Sequence, residues 1–61
     1  MKELYIACEK SRDEMRLDLE GDSILITVEA SHGEQASVFL ENPDTVAELR
    51  DALDEWLERN A

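Results

Sequence analysis

The sequence predicts an α+β domain: a four-stranded antiparallel β-meander with one C-terminal α-helix packed on one face. Three observations lead there. Residues 3–41 contain four segments in which apolar and polar side chains alternate with a period of two. Each segment is set off from the next by a turn signal, and the pattern changes only once, at Glu41-Asn42-Pro43, to apolar spacings of three and four. One sheet covered by one amphipathic helix is the simplest two-layer arrangement for such a pattern, with all 61 residues in a single domain.

Residues 3–8 form the first expected strand, with Leu4, Ile6 and Cys8 facing the core and Tyr5 and Ala7 the other side. A polar turn over residues 9–13 leads to a second strand, 14–20, whose Met15, Leu17 and Leu19 oppose Glu14, Arg16, Asp18 and Glu20. Gly21-Asp22 supplies a tight reversal into residues 23–30, with Ile24, Ile26, Val28 and Ala30 inward and Leu25, Thr27 and Glu29 outward. After a turn at 31–34, residues 35–41 place Ala36, Val38 and Leu40 inward and Ser37, Phe39 and Glu41 outward. Asn42 can then accept from the unpaired N–H groups of a helix start, and Pro43 tolerates the first helical position because no N–H partner exists there. Val46, Leu49, Leu53, Trp56 and Leu57 make one apolar stripe on a helix reaching about residue 59, and this stripe is expected to cover the inward face of the sheet.

The second face of that sheet stays open. Tyr5, Leu25 and Phe39 project from it, and Glu14, Asp18, Glu20, Glu29 and Glu41 surround them, an apolar centre with an acidic rim of the kind found at binding faces. Charge points the same way. Between Arg16 and Arg50 there is no lysine or arginine, yet eight carboxylates occur, and the whole chain carries a formal charge of −10. Like charges repel in a compact chain and lower its stability, so a small domain that keeps such a surface is expected to meet a basic partner. The same acidity argues against direct contact with nucleic acid or anionic lipid, which reward Lys and Arg. The first fifteen residues lack the apolar run of a signal peptide and no bilayer-spanning stretch occurs, so the expected location is the cytosol.

The helix repeats the acidic theme. Asp44, Glu48, Asp51, Glu55 and Glu58 follow at intervals of four, three, four and three, which lines one helix face with carboxylates. At 1.5 Å per residue the stripe runs about 20 Å, with neighbours about 5–6 Å apart, a spacing comparable with phosphates along a nucleic-acid strand. A basic groove built for a duplex could accept this face in its place, and only Arg59 is positioned to neutralise it, by pairing with Glu55 at i,i+4. The candidate partner-binding residues are therefore Asp18, Glu20, Glu29, Glu41, Asp44, Glu48, Asp51, Glu55 and Glu58, with Tyr5, Leu25 and Phe39 as apolar anchors. Catalysis has little support. The sole His32 lies beside Gly33 in a turn, Cys8 reads as a buried structural thiol, and a chain this short has little room for a water-shielded pocket. No catalytic residue and no cofactor is expected, and Asp18-x-Glu20-x-Asp22 lacks the remaining positions of a calcium loop.

The length, the strand-like start at Glu3-Leu4-Tyr5-Ile6-Ala7-Cys8, the meander through Glu41 and the terminal helix beginning Asn42-Pro43-Asp44-Thr45-Val46-Ala47-Glu48-Leu49 together resemble the small acidic anti-CRISPR proteins of phages and mobile elements, in particular the single-domain inhibitors of type I systems. That resemblance implies a stoichiometric, non-enzymatic inhibitor acting in the cytosol of a bacterial host. It would dock on a type I surveillance complex, type I-C included, and occupy the basic surface of the large subunit that reads the PAM and admits duplex DNA. Two other readings explain parts of the pattern. An acidic partner or antitoxin-like protein that neutralises another basic protein accounts equally for the charge. A structural module could self-associate through the open sheet face or an edge strand, although two acidic rims repel there, so a monomer with at most a weak dimer through that face is expected.

Overall fold

The computed structural model describes residues 2–61, and in it the four strands and the helix follow in the predicted order: β1 (Lys2–Ala7), β2 (Glu14–Glu20), β3 (Ser23–Glu29), β4 (Gln35–Leu40) and α1 (Pro43–Asn60). The strands lie side by side in sequence order as an antiparallel meander, with β1 and β4 as its edges. Register follows the alternation. Leu4 faces Leu17, which faces Ile26, which faces Val38, so one face presents Leu4, Ile6, Met15, Leu17, Leu19, Ile24, Ile26, Val28, Ala36, Val38 and Leu40, with Lys2 its single charged residue among those described. The other face carries the row Tyr5, Arg16, Thr27, Ser37 and the row Glu3, Asp18, Leu25, Phe39.

The turns explain why this register is held. Gly21 and Asp22 are the whole link between β2 and β3, and Gly21 sits at φ 60 with no positive φ at Asp22, the sign pattern of a type II′ turn whose twist suits a two-residue hairpin. Ser23 Oγ donates to the Glu20 carbonyl at 3.1 Å and closes the same corner. At the opposite end, Ala30 N–H donates to the Glu34 carbonyl at 2.8 Å around Gly33, whose φ of 102 is left-handed. Cys8 N–H donates to the Asp13 carbonyl at 2.9 Å across the β1–β2 turn. These two turns are joined to each other, because Ser31 N–H donates to Asp13 Oδ1 at 2.7 Å. That charge-assisted bond holds the Asp13 carboxyl below its ordinary pKa, with the Ser11 hydroxyl contributing.

The expected docking of the helix on the sheet is not what the structure shows. Leu49, Leu53, Trp56 and Leu57 of the helix stay exposed, as do Leu4, Ile6, Val28 and Val38 of the sheet. No apolar residue among those described is buried; the buried side chains are Asp18 and Thr27 at 6% exposure, on the polar-rimmed face. Leu53 is 58% exposed and Trp56 60%. Only Glu41 and Asn42 separate β4 from α1, and Asn42 has the extended backbone of an ordinary helix N-cap, φ −91, ψ 117. Only the first turns of the helix touch the sheet, where Val46 and Ala47, both half-buried, line a hollow with Leu19, Ile24 and Leu40. The result is an expanded shape: the radius of gyration is 13.0 Å, against about 10.5 Å for a compact chain of this length.

Two smaller expectations also change. Cys8 lies just past the end of β1 and is exposed, because the strand begins one residue earlier than the alternation suggested and ends at Ala7. Glu41 lies past the end of β4, in the connection to the helix, so it is not part of the sheet rim. Among the described residues, no helix is long and apolar enough to cross a membrane.

Candidate functional site

The acidic residues fall into two separate groups, one on the helix and one on the polar face of the sheet. On the helix, Asn42 Oδ1 accepts from Asp44 N–H at 2.9 Å, which caps the first turn and puts the Asp44 carboxylate at the positive end of the helix dipole. Arg59 occupies the last turn, where a cation suits the negative end. Asp44, Glu48, Asp51, Glu55 and Glu58 are all exposed, as their spacing predicts. At 3.6 residues per turn the middle of this acidic arc lies about 170° from the middle of the apolar stripe, so the helix has two opposed faces of different chemistry.

Two of the five carboxylates are engaged locally. Arg59 Nη2 lies 2.9 Å from Glu55 Oε1, the i,i+4 pair foreseen from the sequence. Arg50 also donates, through Nε and Nη2, to Asp51 Oδ1 at 3.2 and 3.1 Å. The sequence reading missed that second pair because neighbours in sequence do not normally share a helix face, and a long Arg side chain can fold back across the surface regardless. Both pairs are exposed and weak, so a partner's guanidinium could displace them. Asp44, Glu48, Asp54 and Glu58 have no ion-pair partner among the described residues. Asp54 was overlooked; standing three residues after Asp51 and four before Glu58, it borders the stripe and widens it.

On the sheet, Tyr5 and Phe39 are exposed at 60% and 59% while Leu25 is half-buried between Asp18 and Phe39. Asp18 is not part of an open rim. Its Oδ2 accepts from Arg16 Nε at 3.1 Å, and its side chain is almost wholly covered. The Tyr5 hydroxyl and then the Asp18 carboxylate hold the Arg16 pKa above its ordinary value. Next to this pair the Thr27 and Ser37 hydroxyls share a hydrogen bond at 3.3 Å. The polar centre of the face is therefore internally satisfied. Glu14 and Glu29 stand directly opposite each other across β2 and β3, like charges in an unfavourable pairing, and Glu20 is exposed at the far end opposite Ser23. Glu3, paired in register with Asp18, adds an exposed carboxylate that the parity of Tyr5 could have located from sequence.

The remaining chemistry is sparse. His32 Nε2 approaches Glu34 Oε2 at 3.5 Å within an exposed turn. The Cys8 thiol has its pKa lowered by a hydrogen bond with the Ser11 side chain, reinforced by the Lys10 backbone. No group of three His, Cys, Asp or Glu side chains among the described residues could hold a metal ion. What the arrangement can do is present carboxylates on a protruding rod and on one sheet face to cationic groups. Comparison with known protein families, with curated proteins and with solved structures finds no match for this chain.

Proposed function

We propose that this protein is a non-enzymatic, stoichiometric inhibitor of the anti-CRISPR kind: it binds a basic nucleic-acid-binding surface of a type I surveillance complex in place of DNA, within the bacterial cytosol, and blocks target recruitment. The observation that carries the reading is the helix. Its 18 residues extend about 27 Å and stand largely clear of the sheet, with the acidic face open along the whole length. A DNA-binding cleft gains affinity by neutralising phosphates and releasing counterions, and carboxylates held on a rigid rod can pair with the same Arg and Lys side chains. A formal charge of −10 also speeds encounter with a basic surface, an effect that salt screens within about 8 Å at physiological ionic strength.

The test is capture of a type I-C complex by the tagged protein at low and high salt, with PAM-bearing duplex as competitor. Salt-sensitive capture that duplex displaces supports the reading. The double variant Glu48→Lys, Glu58→Lys reverses two carboxylates that lack ion-pair partners and avoids the capped first turn. It is expected to weaken capture about tenfold or more. Full inhibition by a natively folded double variant would remove the helix face from the mechanism, and absence of capture by the unmodified protein would remove the target.

A further inference from the structure

A four-stranded sheet with one apolar face needs a cover, and the chain's own helix does not provide it, since the apolar residues of both stay exposed. We propose that a second copy does: the protein is a two-fold symmetric homodimer in which the apolar stripe of each helix lies across the apolar sheet face of the other chain.

The exposed area sets the scale. A compact monomer of 7.0 kDa would expose about 4,000 Å². This chain exposes 5307 Å², an excess of about 1,300 Å². A standard stable interface removes about 800 Å² from each partner, and obligate dimers remove more. The excess therefore has the size of an obligate interface. It resides on the two elements in question, since Ile6, Val28 and Val38 on the sheet and Leu49, Leu53, Trp56 and Leu57 on the helix are all exposed.

Charge and geometry select the second copy as occupant. The apolar sheet face has no carboxylate among the described residues, only Lys2 at its edge, so an acidic helix can approach it without repulsion. The helix would dock with its carboxylates turned roughly 170° away, into solvent. The stripe from Val46 to Leu57 spans about 17 Å at 1.5 Å per residue, close to the width of about 14 Å between the outer strands of a four-stranded sheet. Each helix leaves its own apolar stripe uncovered, with Leu53 58% and Trp56 60% exposed. One chain thus holds both complementary halves, and two-fold exchange satisfies both at once and closes the assembly. Pairing through the opposite sheet face would instead oppose Glu3, Glu14, Glu20 and Glu29 with their own copies. The dimer goes beyond the inhibitor reading and does not depend on it, since the acidic helix face stays open either way.

Sedimentation equilibrium from 1 to 100 µM, on the protein alone, is expected to give twice the 7.0 kDa chain mass. In a sample mixing isotope-labelled and unlabelled chains, intermolecular NOEs are expected between the Trp56 indole and the methyls of Ile26 and Val28. Leu53→Glu is expected to raise the dissociation constant about a hundredfold or more, because two-fold symmetry places the altered residue in both contacts. A folded monomer at 100 µM would overturn the proposal, as would Trp56 contacts confined to its own chain, which would mean the helix folds back on its own sheet. A dimer whose intermolecular NOEs connect Tyr5 and Phe39 would overturn it too. The NOE measurement uses the unmodified protein, so it decides the matter even if Leu53→Glu fails to fold.

Discussion

Replacing Asn42 by Ala removes one hydrogen bond, and the structure makes its effect legible. Asn42 Oδ1 is the acceptor for Asp44 N–H at 2.9 Å, and Pro43 at the first helical position has no N–H to offer, so the cap serves one of the few donors at this terminus. Loss of an Asn cap to Ala costs about 1 kcal/mol, roughly a fivefold change in the helix–coil equilibrium. Because only the first turns of the helix touch its own sheet, within one chain that cost falls on helix formation almost alone. An isolated helix of 18 residues is marginal in water. If the helix is held by a second copy, the same cost couples to the whole fold and lowers the melting midpoint by about 4–8 °C. Circular dichroism at 222 nm, followed through thermal melting at two protein concentrations, reads both quantities. The expected result is a lowered midpoint that rises with concentration, with Asn42→Asp, which keeps a capping oxygen, close to the unmodified protein. Unchanged ellipticity and midpoint in Asn42→Ala would show that the cap is not limiting and would refute this account of the helix start.

Two further outcomes follow from the sheet. Asp13 has a lowered pKa in the folded protein through its bond from Ser31 N–H. Its contribution to stability is therefore complete above the ordinary carboxylate range and is lost as pH falls through the depressed folded value; Asp13→Asn should remove that acid-side dependence and speed exchange of the Ser31 amide, and an unaltered Ser31 exchange rate would count against the bridge. Glu29→Lys converts the like-charge pairing with Glu14 into an attractive one and should raise the thermal midpoint by a few degrees, read by calorimetry at low salt with the gain shrinking at high salt; a lowered midpoint would mean the opposition is relieved in another way.

Most of the fold was legible because period and turn chemistry agree along the chain. Alternation in Met15, Leu17 and Leu19 and in Ile24, Ile26 and Val28, joined by Gly21-Asp22, leaves one register in which both apolar sets share a face. Asn42-Pro43 marked the helix start, and the structure places the cap there. What the pattern did not carry is where the helix goes. An amphipathic stripe states that a helix needs cover and says nothing about whose surface covers it. The acidic helix face was readable from spacing alone, whereas the satisfaction of Asp18 by Arg16 was not. Spacing of two puts those side chains on one face of a strand, but only the folded sheet covers the carboxylate. Cys8 was misplaced because its apolar character fits the alternation one step beyond the true strand end.

The free edge at β4 has a consequence for how the protein must be handled. Gln35–Leu40 contains no charged residue, no Pro and no Gly, and its outer backbone groups face no neighbouring strand. Such a segment templates strand addition, and the usual guards, a Lys or Pro within the edge, are missing. The counterweight is collective: mutual repulsion between chains of formal charge −10 opposes edge-to-edge contact. That protection is electrostatic, so it fades near the isoelectric point of about 4.2 and under concentrated salt. Repulsion that rests on carboxylates acts only in conditions in which those carboxylates stay ionised and unscreened.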